Sequence, residues 1–148
     1  MAMYGRQDAA FLGNPYGLDF EANGYIAAAE VTPGRPVYRV PGTPTKVTST
    51  YTAGDEFAGV AMSYQSSTVA AVATYASGVS VNVMREGFIW VQVSAAVSTA
   101  PCKAYATSAG LFSATASGNY DIGAWFETNQ ATVSGLAVIR ISSDPAFV

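Results

Sequence analysis

The sequence predicts an all-β fold: an antiparallel β-sandwich or jelly-roll-like barrel with an extended N-terminal arm. Three observations lead to this prediction. Short segments rich in β-branched and aromatic residues recur along the chain, clusters of Gly, Ser, Asn and Pro separate them, and part of the stretch 79–93 alternates between apolar and polar residues. A chain of 148 residues can bury one core without metal ions or disulfides. We expect an arm over residues 1–36 and a single β domain over residues 37–148.

The predicted arm matches neither the helical nor the strand period. Turn-forming Gly, Asn and Pro residues break each of its short apolar runs. It is nevertheless too rich in aromatic residues for a solvated tail, with Phe11, Tyr16, Phe20 and Tyr25. Because a terminus is ordered only when it is tied down, we expect the arm to lie against a neighbouring subunit or against its own domain. These four aromatic residues are therefore candidate interface residues.

The first half of the β domain contains four predicted strands. Residues 36–40, 46–51 and 57–62 are rich in β-branched or aromatic residues and are bounded by Pro, Gly or Asp. Residues 68–75 contain enough alanine for a helix, but the Ser and Thr clusters on either side favour a fourth strand.

Residues 79–93 are predicted to form a β-hairpin around which the domain is organised. The period of two over residues 79–84 places three valines on one face of a sheet. The turn of this hairpin is predicted at Arg85, Glu86 and Gly87, because the glycine can adopt positive φ. The second arm, residues 88–93, is apolar on both faces and needs cover from a second sheet or another subunit. The stretch adds four candidate interface residues: Arg85, Glu86, Phe88 and Trp90.

The remaining third of the chain repeats the same pattern. Four short β-like segments are separated by loops rich in Ser, Gly and Asn: residues 103–107, 111–115, 123–127 and 136–141. Short strands at regular spacing, separated by loops of this composition, are typical of a sandwich or barrel.

Composition excludes several classes of function. Only 11% of the residues are charged, against a usual share of roughly a quarter, which indicates that much of the surface faces protein. The net charge of −3 and the seven scattered Lys and Arg residues argue against a nucleic-acid partner. No apolar stretch is long enough for a membrane helix, and the N-terminus lacks the pattern of a secretory signal. We therefore expect no membrane partner and synthesis in the cytoplasm.

The sequence offers little catalytic chemistry. It has no histidine, which removes Ser-His-Asp and Cys-His sites and most zinc sites. The single cysteine, Cys102, allows no intrachain disulfide and is interpreted as a small buried residue. The adjacent Asp55 and Glu56 point to opposite faces in an extended chain, so they cannot converge on a substrate. We predict no enzymatic activity, no metal and no cofactor.

The two tryptophans leave one binding alternative open. Aromatic faces on a β-sandwich can stack against sugars, so Trp90 and Trp125 are consistent with a carbohydrate- or surface-binding module of a fibre or adhesin. Both lie in predicted strands, however, and packing in a core or an interface is the favoured explanation for both.

From about residue 53 to residue 141 the order of elements resembles the small cement or decoration proteins of tailed-phage capsids. The resemblance rests on residues 59–61, 79–83, 86–91, 122–127 and 136–141, through their glycine spacing and apolar alternation. Residues 100–105 stand where that family often has a Gly-Asp-x-Val-Tyr-like segment, although this chain has Pro101 and Cys102 there. The N-terminal arm lies outside the resemblance.

The resemblance implies a structural virion protein that binds the outer surface of an assembled capsid and stabilises it. It implies the major capsid protein as partner and a small homo-oligomer, a dimer or trimer, without enzymatic activity. The expected role is to bridge neighbouring capsid subunits. Sparse charge and an adhesive arm agree with this role, because many modest contacts repeated over a shell give a large total stabilisation.

Overall fold

The computed structural model describes residues 12–13, 15–16, 20–52, 55–63 and 74–142, and these residues form nine β-strands and no helix. The all-β prediction is therefore confirmed. The strands are β1 (Glu21–Ala27), β2 (Pro36–Val40), β3 (Thr43–Thr48), β4 (Phe57–Ala61), β5 (Ser80–Gln92), β6 (Cys102–Ala106), β7 (Phe112–Ser113), β8 (Tyr120–Phe126) and β9 (Leu136–Ile141).

Strand β5 is the centre of the architecture, because both halves of the protein pair with it. Its first half pairs with β1 and β4, and the pairings β1-β3-β2-β4-β5 return to β1 as a ring. Its second half pairs with β9, which continues through β8 and β6 to β7. A bridge between Val93 and Phe112 then joins β7 to the residue after β5. The two halves therefore share one long strand.

The predicted hairpin at residues 85–87 is wrong, since β5 runs through this point as one strand of 13 residues. A β-bulge takes the place of the turn: Glu21 lies opposite Glu86 but Ala22 lies opposite Met84, so Arg85 is the extra residue. Gly87 has a φ of 133°, which favours glycine. A bulge and a turn both need a break in regular extended geometry, and only the tertiary partners on each side decide between them.

The bulge lets one strand serve two cores. Inserting a single residue shifts the side-chain alternation by one position. Odd-numbered residues before the bulge and odd-numbered residues after it therefore face opposite sides of the sheet. Val81 and Val83 accordingly lie in the core of the first half. Ile89 and Val91 lie in the core of the second half together with Met84, which precedes the bulge.

Most of the other predicted strands agree with the observed ones to within about two residues at most boundaries. Residues 68–73 of one predicted strand lie outside the described residues, while Tyr75 at its end forms a bridge with Val31. The segment predicted as an arm contains a further strand, β1, which pairs with both β5 and β3. Its residues 21–27 therefore pack on their own domain, which was one of the two alternatives for the arm.

An aromatic cluster links the two halves. The Tyr38 ring lies 5.1 Å from that of Tyr51 and 6.0 Å from that of Phe57, and Tyr51 lies 3.9 Å from Tyr120 at the start of β8. Tyr38 is buried, and its hydroxyl has no hydrogen-bond partner among the described residues. Burial raises the pKa of this hydroxyl well above its ordinary value of 10.0.

Replacing Tyr38 with phenylalanine is expected to leave stability unchanged or to raise it by about 1 kcal/mol at neutral pH, because the variant removes a buried polar group without removing a hydrogen bond. Above pH 10 the difference should widen. The folded state holds Tyr38 neutral, so the wild-type protein loses stability as pH rises above the unfolded pKa, and this loss is smaller in the variant. Urea unfolding at pH 7 and pH 11 measures both effects, and a variant much less stable at pH 7 would contradict the unpartnered hydroxyl.

Candidate functional site

A short N-terminal segment pairs with the second half of β5 on the side opposite β9. The Gly13 N–H donates to the Trp90 carbonyl at 2.9 Å, the Tyr16 N–H donates to the Phe88 carbonyl at 2.9 Å, and Pro15 forms an antiparallel bridge with Ile89. Backbone hydrogen bonds fix this segment without using its side chains. The side chain of Tyr16 is thus positioned by β5 and remains available for contacts.

Four aromatic side chains come together here, and we call Tyr16, Phe20, Phe88 and Trp90 the aromatic surface. The Tyr16 ring meets the Trp90 ring edge to face, with 5.9 Å between centroids and 80° between planes. Phe88 and Trp90 lie on the face of β5 opposite the core and are half-buried. Tyr16 and Phe20 are 41% and 42% exposed, which makes them two of the three exposed large apolar residues among those described. The protein therefore presents aromatic rings to its surroundings, and the backbone of one of them, Tyr16, is held by β5.

A groove of about 460 Å³ runs beside the aromatic surface. Phe20, Gly87 and Phe88 supply its apolar lining, while Glu21, Glu86 and Arg140 supply charged groups; Ile141 and Ser142 complete it. Protein-binding patches usually combine apolar and polar residues in this way.

A second groove, of about 520 Å³, lies between the two halves and is more polar. Tyr25 and Arg85 line it together with Arg39, Glu56 and Asp121. Ion pairs neutralise much of its charge: Arg39 pairs with Glu56 at 3.1 Å, and Arg85 pairs with Glu21 at 3.7 Å. Exposed ion pairs of this kind contribute little to stability.

Seven of the eight predicted interface residues thus divide into two groups. Tyr16, Phe88 and Trp90 form the aromatic surface with Phe20, and Glu86 lines the groove beside it; Tyr25 and Arg85 line the second groove; Phe11 lies outside the described residues. Whether these residues bind a partner stays a prediction.

Arg140 is a member of the site that was not predicted from the sequence. Strand register places Arg140 between Phe88 on β5 and Trp125 on β8, and Trp125 lies opposite Lys103 on β6. The result is a row across four strands in which aromatic and basic residues alternate. A single charged residue in the otherwise apolar segment 136–141 was the signal, since a lone charge in a strand marks the face that avoids the core.

Each basic residue of this row is paired with a carboxylate. Arg140 Nε contacts Glu127 at 3.0 Å and Lys103 Nζ contacts Asp121 at 2.9 Å. The hydrogen bond from Lys103, with a second from the Gly123 N–H, holds the pKa of Asp121 below its usual range, and the same hydrogen bond raises the pKa of Lys103. The row therefore presents paired rather than bare charges around Trp125.

The described residues contain no group of three or more Cys, Asp and Glu residues placed to hold a metal ion. They also contain no helix that is long and apolar enough to cross a membrane.

Comparison with solved structures shows where the fold recurs. A chain of the capsid of Myoviridae phage XM1 matches with a TM-score of 0.72 and 17% identity, over 93% of this chain and 94% of that chain. A chain of the head fibre gp8.5 N base of bacteriophage phi29 matches with a TM-score of 0.50 and 12% identity, over 84% and 95%. At these identities the likeness concerns the fold alone. No curated protein matches the sequence.

A family comparison goes further than the fold. The sequence model described as structural cement protein (E217 gp24/Pam3 gp6) matches residues 6–142, which is nearly the whole chain and includes the aromatic surface and both grooves. The protein therefore belongs to the family of phage structural cement proteins.

Proposed function

We propose that this protein binds the outside of an assembled phage capsid and stabilises the shell by bridging neighbouring capsid subunits. Membership of the cement family supports a structural role in the capsid. The observation that favours bridging is the aromatic surface together with the two grooves, because one molecule then has more than one place at which a capsid subunit can bind.

The aromatic surface has the properties of a binding hot spot. Large aromatic residues contribute most to protein interfaces when their partner covers them, since they bury much apolar area and have few rotamers to lose. Tyr16 and Phe20 still expose more than a third of their surface, so a partner can remove this area from water. Backbone bonds already hold Tyr16 in place, which lowers the entropy cost of binding.

The proposed partner is the major capsid protein, and the proposed location is the outer surface of the virion. A shell offers the same site many times, so a modest affinity at each copy sums to a large stabilisation of the particle. A dimer or trimer of this chain would add avidity. The role is structural and requires no enzymatic activity, metal or cofactor.

Within the predicted arm, the proposal gives a binding role only to the residues that precede β1. Tyr16 and Phe20 lie in this part, and Phe11 lies outside the described residues. Because β1 pairs with β5 and the backbone of Gly13 and Tyr16 also bonds to β5, we assign to the chain before β1 a contact with a neighbouring capsid subunit through exposed side chains such as Tyr16 and Phe20.

Co-sedimentation tests the proposal. Purified protein is mixed with expanded capsids that lack it and is centrifuged at several salt concentrations. Saturable binding, with a fixed number of copies per shell, is the expected result. Absence of binding at every salt concentration would contradict the proposal.

One observation favours a second candidate function, the binding of glycans. A sugar site needs an aromatic platform with polar groups beside it, and Trp125 lies between Lys103 and Arg140, each paired with a carboxylate. Glycan binding that disappears on Trp125→Ala, in a variant that still folds and still binds capsids, would support this function.

A further inference from the structure

Strand β1 has an open edge at residues 22–24 within the part of the chain that the structure describes. On one side β1 pairs with β5 from Glu21 to Ile26. On the other side β3 pairs with β1 only at Ile26 and Ala27. Residues 21–24 are all exposed. The open edge therefore ends where β3 joins the sheet.

The hydrogen bonds around Ala27 show which backbone groups point outward. Ala27 donates its N–H to the Val79 carbonyl and accepts from the Gly78 N–H, so its backbone groups face β5. Backbone groups alternate in direction along a strand, and the Ala28 N–H accordingly faces β3, where it donates to the Val47 carbonyl. By the same alternation, Ala22 and Gly24 direct their N–H and C=O groups to the open edge.

The other edges carry the residues that prevent strand pairing, and this one does not. Proteins commonly protect a free edge with proline, lysine or a very short strand. Strand β3 contains Pro44 and Lys46, β6 follows Pro101 and contains Lys103, and β7 has only two residues. The open edge of β1 reads Ala-Asn-Gly. It has small side chains and no protecting residue.

We infer that residues 22–24 receive an extended segment of a capsid subunit, which adds to β1 as a further strand. Strand addition gives affinity through backbone hydrogen bonds, here to Ala22 and Gly24, and small side chains leave room for the incoming chain. The inference rests on the proposed function and specifies the chemistry of one contact. The edge follows directly after Phe20, so one capsid subunit can bind the aromatic surface and the edge together.

The position of β3 favours a single extended segment over a second copy of this chain. Strands β1 and β3 are parallel and pair at Ile26 and Lys46. The pairing does not extend along β1 to Gly24. The space beside residues 22–24 is thus bounded by β3 at one end. A flexible segment can enter it, whereas β1 of a second copy would bring its own β3 into the same space.

Proline substitution tests the edge. The double variant Ala22→Pro, Gly24→Pro removes both outward N–H groups and leaves the groups that face β5, and proline is tolerated on a free edge. Binding to capsids that lack the protein should weaken roughly tenfold or more, because two intermolecular hydrogen bonds are lost. Gly24→Ala is the matched control: it keeps the N–H, and a methyl group there meets open space. Equal binding by wild type, control and double variant would overturn the inference.

Hydrogen exchange of the wild-type protein tests the same edge without a substitution. The amides of Ala22 and Gly24 should exchange quickly in the free protein and at least about tenfold more slowly on the capsid, whereas those of Asn23 and Tyr25, which face β5, should be slow in both. Fast exchange at Ala22 and Gly24 on capsids that do bind the protein would overturn the inference and leave the proposed function standing. Slow exchange in the free protein that depends on its concentration would show pairing between copies, and would also overturn it.

Discussion

Replacing both Tyr16 and Phe20 with alanine is expected to weaken binding to capsids by at least about a hundredfold while the protein stays folded. Each side chain still exposes more than 40% of its surface and belongs to neither core, so its loss removes little folding energy. Truncating a hot-spot aromatic residue costs about 2 kcal/mol or more of binding energy. Two such losses correspond to a change of a hundredfold or greater.

The control for this variant is Val133→Ala. Val133 is 60% exposed, lies in the loop between β8 and β9, and lines neither groove. Its substitution should leave capsid binding within about twofold of wild type, since an isolated exposed apolar residue is common on any surface. Titration of capsids with each variant measures the affinities, and thermal unfolding checks the fold. Wild-type affinity of the double aromatic variant would contradict the role of the aromatic surface.

Replacing Gly59 with alanine is expected to destabilise the fold by about 2–6 kcal/mol. Gly59 lies in β4 opposite Val37 and has a φ of 147°, a conformation that costs a side-chain-bearing residue roughly 1–3 kcal/mol. A methyl group would also collide with the Met84 carbonyl on β5 and with the Val83 side chain. Because the first collision is with backbone, relief requires a shift of β5, which both halves share. Overpacking of this kind adds roughly 1–3 kcal/mol.

Gly24→Ala again provides the control, because a methyl group at Gly24 meets open space and its φ is not positive. Urea unfolding should give Gly59→Ala a clearly lower midpoint and Gly24→Ala a midpoint close to that of wild type. A Gly59→Ala variant as stable as Gly24→Ala would contradict the close approach of Gly59 on β4 to the Met84 carbonyl on β5.

The strands were predictable from the sequence because their signal is local. Residues 36–40 and 136–141 coincide with β2 and β9, since β-branched residues and flanking turn residues determine both ends. Phe88 and Trp90 could be assigned to a covered second face for a similar reason: alternation in an apolar strand leaves aromatic residues on both sides.

What the sequence could not predict depends on distant partners. The segment Arg85-Glu86-Gly87 suits a turn as well as a bulge, and pairing of β1 and β9 with β5 on either side of it decides for the bulge. Strand β1 reads Glu-Ala-Asn-Gly at its start, which favours a loop, and it is a strand because β5 supplies its hydrogen bonds. Arg140 joins the site through register across three strands, which no local pattern specifies.

The measurement that tests the central claim most directly is the heat resistance of capsids with and without this protein. Expanded capsids that lack it are incubated with wild-type protein or with the Tyr16→Ala, Phe20→Ala variant at equal concentration, and release of contents is followed as temperature rises. A protein that binds only the assembled shell stabilises it by mass action, so wild-type protein should raise the rupture temperature in proportion to occupancy. The variant should leave the rupture temperature near that of bare capsids. Saturating occupancy by the wild-type protein with no change in rupture temperature would contradict the stabilising role.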